Sequence, residues 1–379
     1  MRIVRYALVL VLALATLVLA GVRARYGGGA AFPDRSGAAS LGADALELVA
    51  DLPHPPGNIA VSASGRVFAT FHPEGSPPIS VFELIDGKPV AYPPGGLPGD
   101  LAYQTVLSLR VDRKNRLWVL DYGRYGFGTA RLLAFDLASG ALVHRHDFPS
   151  KIALHGSMLN DFQVAPDGRH VYIADASLFA LIPAIVVYDV STQKSRRLLE
   201  GHESVLAEDF APVVQGTRME FFGLFTVRPG VDSIALDDAG EWLYFAPVTS
   251  THLYRVRTAD LHDAHISARA LESRVERFAE KTMSDGIAID PSGTLYLSDL
   301  EHSAVVSLGQ DRVLRTLVAD ERLRWPDGFA FGPDGALYLT CSALHQVILK
   351  SPAEIAAHAP YQIWRLRLDA APRSHPSAS

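Results

Sequence analysis

The chain carries a single cysteine, Cys341, among 379 residues. An intrachain disulfide needs two thiols, so no disulfide framework supports this fold, and no Cys/His spacing of a zinc site is present. Charge is moderate and mixed: 35 Lys and Arg against 41 Asp and Glu, a net charge of −6, with no long basic stripe. That excludes the usual electrostatic footprint of a nucleic-acid partner. The GxSxG, HExxH and phosphate-binding glycine signatures are missing, and no Ser/His/Asp arrangement stands out. At 48% apolar and 20% charged residues, the composition is that of a globular chain that must stand on packing.

The N-terminus is distinctive. Arg2 and Arg5 precede an uncharged run of 17 residues, Tyr6 to Val22. This is the layout of a secretory signal, with Val18-Leu19-Ala20 and Val22-Arg23-Ala24 as small-residue cleavage candidates. The run is also long enough for an uncleaved anchor, and Arg23 and Arg25 follow it, so charge leaves its orientation open. The expected product is exported, periplasmic or secreted, and either released or tethered by its N-terminus. Residues 1–25 are expected to be the signal or anchor, and 26–44 a linker rich in Gly, Ala and Ser. Residues 45–370 are the expected folded unit and 371–379 a disordered tail.

Six segments within that unit are variations on one theme: GNIAVSASGRVFATF (57–71), LSLRVDRKNRLWVLD (107–121), NDFQVAPDGRHVYIAD (160–175), DSIALDDAGEWLYFAP (232–247), DGIAIDPSGTLYLSD (285–299) and DGFAFGPDGALYLTC (327–341). Each has an alternating apolar run, a tight turn on Gly65, Asn115, Gly168, Gly240, Gly293 or Gly335, and a second run rich in β-branched and aromatic residues, which is a hairpin signature. Asn is the residue after Gly that best tolerates a left-handed turn position. Further strand-like runs follow each hairpin, among them ISVFELID, RLLAFDLAS and IVVYDVST. The pattern predicts an all-β fold, a six-bladed β-propeller of four-stranded antiparallel blades. Pairing of QIWRLRLD (362–369) with LELVADL (46–52) would close the ring. Residues 201–230 are predicted to be an excursion over one face. Leu271, Val275 and Phe278 predict an amphipathic helix within 259–281.

These segments resemble the major royal jelly/yellow protein family, over roughly residues 45–370. NRLWVLDYG (115–123), LNDFQVAPDGRHVYIAD (159–175), SDGIAIDPSGTLYLSDLEHSAV (284–305) and WPDGFAFGPDGALYLT (325–340) carry the likeness. The chain looks like a bacterial member, lacking the paired cysteines of insect relatives. The resemblance implies a six-bladed propeller, usually secreted, with ligand binding or dopachrome conversion among the family's activities. A broader resemblance is to the SMP-30/gluconolactonase propellers, which hold a divalent metal through a Glu, an Asn and an Asp. By that likeness Asn160, Asp285 and Asp327 are the candidate metal ligands, for Ca²⁺ or Mg²⁺. The matching first-blade Glu is missing, since that segment opens Gly57-Asn58.

The repeat register singles out candidate functional residues. Eight positions before a turn glycine stand Asn160, Asp232, Asp285 and Asp327; Asn58 and Asp161 stand seven before theirs. Inner strands line a propeller's axial channel, so these side chains should ring one end of it. Converging carboxylates need compensation, from a divalent metal, a basic ligand or an inward Arg such as Arg110. The competing reading is structural, with Asp-Gly capping loop N–H groups. Asp121, Asp175 and Asp299 are expected in turn and loop hydrogen bonds, Cys341 as a small buried hydrophobe, and His302 and His345 on the surface. Three functions follow. The first is a monomeric small-molecule binder with a polar axial pocket, extending to dopachrome-tautomerase-like chemistry, that touches membrane through the N-terminal anchor alone. The second is a metal-dependent lactonase or hydrolase, and the third a protein-interaction scaffold.

Overall fold

The structure, a computed structural model, describes residues 2–368. Its six four-stranded antiparallel sheets are the six blades. Blade 1 spans Pro56 to Ala91, blade 2 Val106 to Asp147, blade 3 Leu159 to Leu198, blade 4 Val231 to Glu280 and blade 5 Ile287 to Ala319. Blade 6 takes three strands from Pro326–Phe331, Leu337–Cys341 and Tyr361–Leu366, and its outermost strand, Leu46–Leu52, from the start of the domain. Leu46 pairs with Leu366 and Leu52 with Tyr361, so the two ends of the domain share one sheet, as the sequence predicts.

All six turn residues of the repeat have left-handed backbone, with φ from 56° at Asn115 to 85° at Gly65. The expected tail at 371–379 lies outside the described residues. The excursion at 201–230 forms two short hairpins, Val213–Arg218 and Glu220–Thr226. Val214 of the first hairpin and Met219, which joins the two, are buried against Val248, Met283, Trp325 and Leu344, on the face where the inner strands begin.

One expectation is overturned. Residues 259–281 do not form a single helix: Thr258–His262 and Ala268–Glu272 are two short ones, and Glu276–Glu280 is the outermost strand of blade 4. Leu271 and Val275 still pack on blades 3 and 4, and Phe278 is buried toward blade 5. The helical spacing is real, but the blade needs a fourth strand, and pairing with His252–Arg255 outweighs local helix preference.

The N-terminal helix runs Arg2–Tyr26, and its most apolar 18-residue stretch has a mean hydropathy of 2.5 with none of that stretch buried. At 1.5 Å per residue it is long enough to cross a bilayer core of about 30 Å, which suits a signal or an anchor. The segment after it lies along the propeller: Ala30 bridges to Phe210, Phe32 is buried, and the Ser40 and Leu41 N–H groups donate to the Thr316 and Leu317 carbonyls.

In blades 1, 2, 3, 4 and 6 the pairing of the inner strand breaks register just after its first residue, as between Leu159 and Phe162 or Pro326 and Phe329. Such bulges re-aim a side chain, and here they occur at the candidate site positions. Second-strand hydroxyls hold the start of the inner strand, in blades 1 and 6 at the bulge and in blade 5 where the pairing runs without one. Thr70 Oγ1 accepts from Asn58 N (2.9 Å), Ser298 Oγ from Gly286 N (3.0 Å) and Thr340 Oγ1 from Gly328 N (2.9 Å). Thr70 and Thr340 then donate to the neighbouring blade, at the Leu107 and Gly57 carbonyls.

Blade crowding explains the glycines. A Cβ on Gly328 would lie 2.7 Å from Asn58 Cα, and one on Gly286 would collide with the Asp327 carbonyl. Gly328→Ala should therefore cost about 1–3 kcal/mol through overpacking against backbone. Gly335→Ala, whose Cβ meets nothing within 4 Å, pays the strain of its positive φ of 76°, about 1 kcal/mol. Urea unfolding of the two variants measures the difference.

Candidate functional site

The seven sequence-selected residues fall into two groups along the axis. Asn160, Asp232, Asp285 and Asp327 line one cavity of about 100 Å³ where the inner strands begin. Asn58, Asp161 and Arg110 form a second cluster deeper in the channel. The Asn58 amide donates to Asp161 Oδ1 (2.6 Å), and Ser108 Oγ donates to the same oxygen (3.1 Å). Arg110 donates to Asp161 Oδ2 (3.3 Å) and to Asn58 Oδ1. This cluster is internally compensated: Arg110 neutralises Asp161, whose carboxyl is nevertheless raised, because burial outweighs the guanidinium.

The upper group has no such partner: among the described residues, no Lys or Arg stands within ion-pair distance of Asp232, Asp285 or Asp327. The Asn160 amide donates to Asp232, while Asn160 Oδ1 is buried without a hydrogen-bond partner. Trp325 Nε1 donates to Asp285 Oδ2 at 2.6 Å. Burial raises all three carboxyls, Asp232 and Asp327 well above the usual range and Asp285 to about 6, and the neighbouring acids add to the rise. Asp285 is held lower than its burial alone would set it by the Trp325 hydrogen bond and by Lys281. Lys281 is itself buried, bonded to the Val248 (3.0 Å) and Thr282 (3.1 Å) carbonyls, and burial lowers it to about 7.

The walls come from the loops that follow second strands and from the excursion. His72, Glu74, Tyr122 and Tyr125 stand on one side, Leu178 and Phe179 on another, and Pro212, Val227 and Pro229 belong to the excursion. Burial keeps His72 neutral, at about 3. Trp325 stacks on His345 (6.5 Å between centroids, 14° between planes), whose Nε2 lies 3.2 Å from Gln215 Oε1, tying the acid ring to the excursion. His345, expected on the surface, is buried in this stack.

Sequence reasoning missed Trp325, Lys281, the tyrosines and the His72/Glu74 pair. A signal for most of them existed: second strands end where inner strands begin, so the residues after each second strand, HPE (72–74) and YGRY (122–125), belong at the same mouth. The structural expectations fared well. Asp121 caps the Gln104, Thr105 and Gly123 N–H groups, and Asp175 caps those of Met158 and Ser177. Cys341 is fully buried, its thiol pushed up to about 12, so it is inert.

The fit to a divalent metal is poor at atomic level. Among the described residues, no three His, Cys, Asp or Glu side chains stand close enough to hold one ion. Within the candidate set of Asn160, Asp285 and Asp327, one Asp285 oxygen is committed to Trp325.

Fold and site together define a six-bladed propeller with an acidic axial pocket. The chain belongs to the major royal jelly protein family, whose sequence profile matches residues 104–373. It is 27% identical over 223 residues to major royal jelly protein 3 of Apis mellifera, covering 56% of this chain and 39% of that one. The chain spans about half the length, or less, of the royal jelly proteins it matches. Among solved structures it is similar in fold to a calcium-binding regucalcin from Agrobacterium tumefaciens (TM-score 0.53, 16% identity, 87% of this chain and 97% of that one). It is likewise similar to a gluconolactonase from Xanthomonas campestris (TM-score 0.52, 14% identity, 89% and 97%).

The charge state of Asp285 can be tested through stability. A carboxyl raised in the folded state from 3.8 to about 6 destabilises the fold at neutral pH, an effect that disappears as pH falls below about 4. The full shift corresponds to roughly 3 kcal/mol at 1.36 per unit; because Asp285 keeps part of its surface open to the cavity, about 1–2 kcal/mol is expected. Asp285→Asn should therefore be more stable than wild type at pH 7.5, and the gap should close by about pH 4. Paired denaturant titrations across that range check both sign and window.

Proposed function

We propose that the protein binds a small organic cation at the mouth of its axial channel. The observation that carries this reading is the set of three acids at the mouth, buried Asp232 with half-buried Asp285 and Asp327, none of them ion-paired to a Lys or Arg among the described residues, beside an unpartnered Asn160 Oδ1. A cation would restore their charged forms and accept no desolvation penalty alone, since the pocket supplies the counter-charge. The aromatic wall of Tyr122, Tyr125, Phe179 and Trp325 suits an ammonium group, which gains from ring faces. A cavity of about 100 Å³ is well below the roughly 300–1,000 Å³ of drug-sized sites, which favours a ligand of few atoms, or one with only its charged head inside. Acids spread around a mouth favour an organic cation that spans them over one directly coordinated ion.

A second reading is supported by Asp285 itself. A carboxyl near 6 both accepts and returns a proton close to neutral pH, which is the requirement for a tautomerisation of the dopachrome type.

Calorimetric titration with a panel of small primary and quaternary amines, alongside Ca²⁺ and Mg²⁺, tests the binding reading. At least one amine should bind, more tightly as pH rises through about 6, and Asp327→Asn should weaken it about tenfold or more, the loss of a charge-assisted contact of roughly 1.5–3 kcal/mol. Binding of the metals alone, or of none of the panel, would overturn it. Dopachrome turnover above the uncatalysed rate, abolished in Asp285→Asn, is the outcome required by the second reading.

A further inference from the structure

The face that bears the pocket is also the face from which the apolar helix leaves. The helix end is seated there. Gly27 N donates to Arg23 O (2.9 Å), and a Cβ on Gly27 would lie 2.9 Å from the Leu224 carbonyl. The Tyr26 ring lies 6.0 Å from Phe225, and its hydroxyl reaches the Phe179 carbonyl (3.3 Å). Thr226 and Arg228 hold the Gly28 and Gly27 carbonyls (2.7 and 2.9 Å). No loose tether separates the helix from the propeller.

Exposed apolar side chains gather around this exit. Outside the helix, and among the described residues, four aromatic side chains are strongly exposed: Phe222 (86%), Phe127 (53%), Phe179 (43%) and Tyr125 (39%). All four belong to this face. Tyr125 and Phe179 line the pocket mouth, Phe127 lies 5.9 Å from Phe179, and Phe222 sits in the tip of the hairpin that touches Tyr26. The opposite face, where the hairpin turns lie, exposes no aromatic side chain among them. Arg23 and Arg25 flank the exit; Arg23 pairs with Glu220 at 3.4 Å, and Arg25 lies over the Tyr26 ring.

We propose that the helix is retained as a membrane anchor and that this aromatic face rests on the same bilayer, opening the pocket toward the lipid surface. The occupant is lipid because the helix, 25 residues long with an unburied apolar stretch of 18, delivers a bilayer to this face. Aromatic rings with Arg23 and Arg25 at the helix exit match the apolar boundary and anionic headgroups of a membrane interface. The inference does not depend on which ligand the pocket takes.

The test uses the full chain reconstituted in phosphatidylcholine/phosphatidylglycerol vesicles containing shallow nitroxide lipids. Cys341 is fully buried, so Phe222→Cys, Phe127→Cys and, on the opposite face, Val313→Cys each offer one accessible thiol for an environment-sensitive fluorophore. The expected result is loss of fluorescence at 222 and 127 with none at 313, and an intact mass that includes the helix. A mature chain lacking its first 24 residues, or labels at 222 and 127 as unquenched as at 313, would overturn the proposal. Quenching lost while the chain self-associates would overturn it in favour of a second copy on this face.

Discussion

Six inner strands must come together around one axis, and the closest approach is backbone against backbone. Gly328 lies against Asn58 and Gly286 against the Asp327 carbonyl, with no room for a Cβ at either position. In blades 1 and 6 the pairing slips by a residue just there, and a hydroxyl from the next strand, Thr70 or Thr340, satisfies the N–H group that the slip leaves free; in blade 5, whose pairing runs without a slip, Ser298 does the same for Gly286. This arrangement fixes the ring, since Thr340 also donates across to Gly57 in the adjoining blade. It also decides which side chains face the channel, because a bulged residue is turned inward. Architecture and site therefore share the same few residues.

The electrostatics follow from that placement. Two groups of polar side chains occupy one channel, and they differ in whether the chain supplies its own counter-charge. Deeper in, Arg110 and Asn58 satisfy Asp161, which makes that cluster a structural plug. At the mouth, buried Asp232 and half-buried Asp285 and Asp327 stand close enough that neighbouring acids add to the rise of each carboxyl, with an indole N–H on Asp285 and a neutral amide on Asp232. A fold that needed these acids for capping alone would have satisfied them as it satisfies Asp121 and Asp175, each of which accepts several N–H groups. The contrast within one molecule separates acids used as braces from acids left available.

Much of this was legible in the sequence. The turn residues at 65, 115, 168, 240, 293 and 335 announced six hairpins, and counting eight back from four of them reached the cavity acids. The closing pair of strands was visible as two apolar runs at the domain ends. What was hidden has physical reasons. A one-residue offset put Asn58 and Asp161 beside the other candidates in sequence, yet the bulge sends them deeper into the channel. Trp325 stands ten residues before its turn glycine, where other blades carry Pro55, Thr105, Met158 and Met283, so no shared residue type marks the position; it and His345 meet Asp285 and Gln215 only in the folded ring. The strand at Glu276–Glu280 reads as helix because its apolar spacing is helical; only the empty edge of blade 4 makes it a strand.

The central claim is that the pocket acids are uncompensated until a cation arrives. Carboxyl-carbon NMR of aspartate-labelled protein, titrated from pH 4 to 8, tests this directly, with resonances assigned by Asp232→Asn, Asp285→Asn and Asp327→Asn. The account requires Asp285 to titrate near 6, Asp232 and Asp327 to remain protonated well above the ordinary range, and these midpoints to fall when a bound amine is added. Three carboxyls titrating at their ordinary values near 3.8, unmoved by any cation, would contradict it.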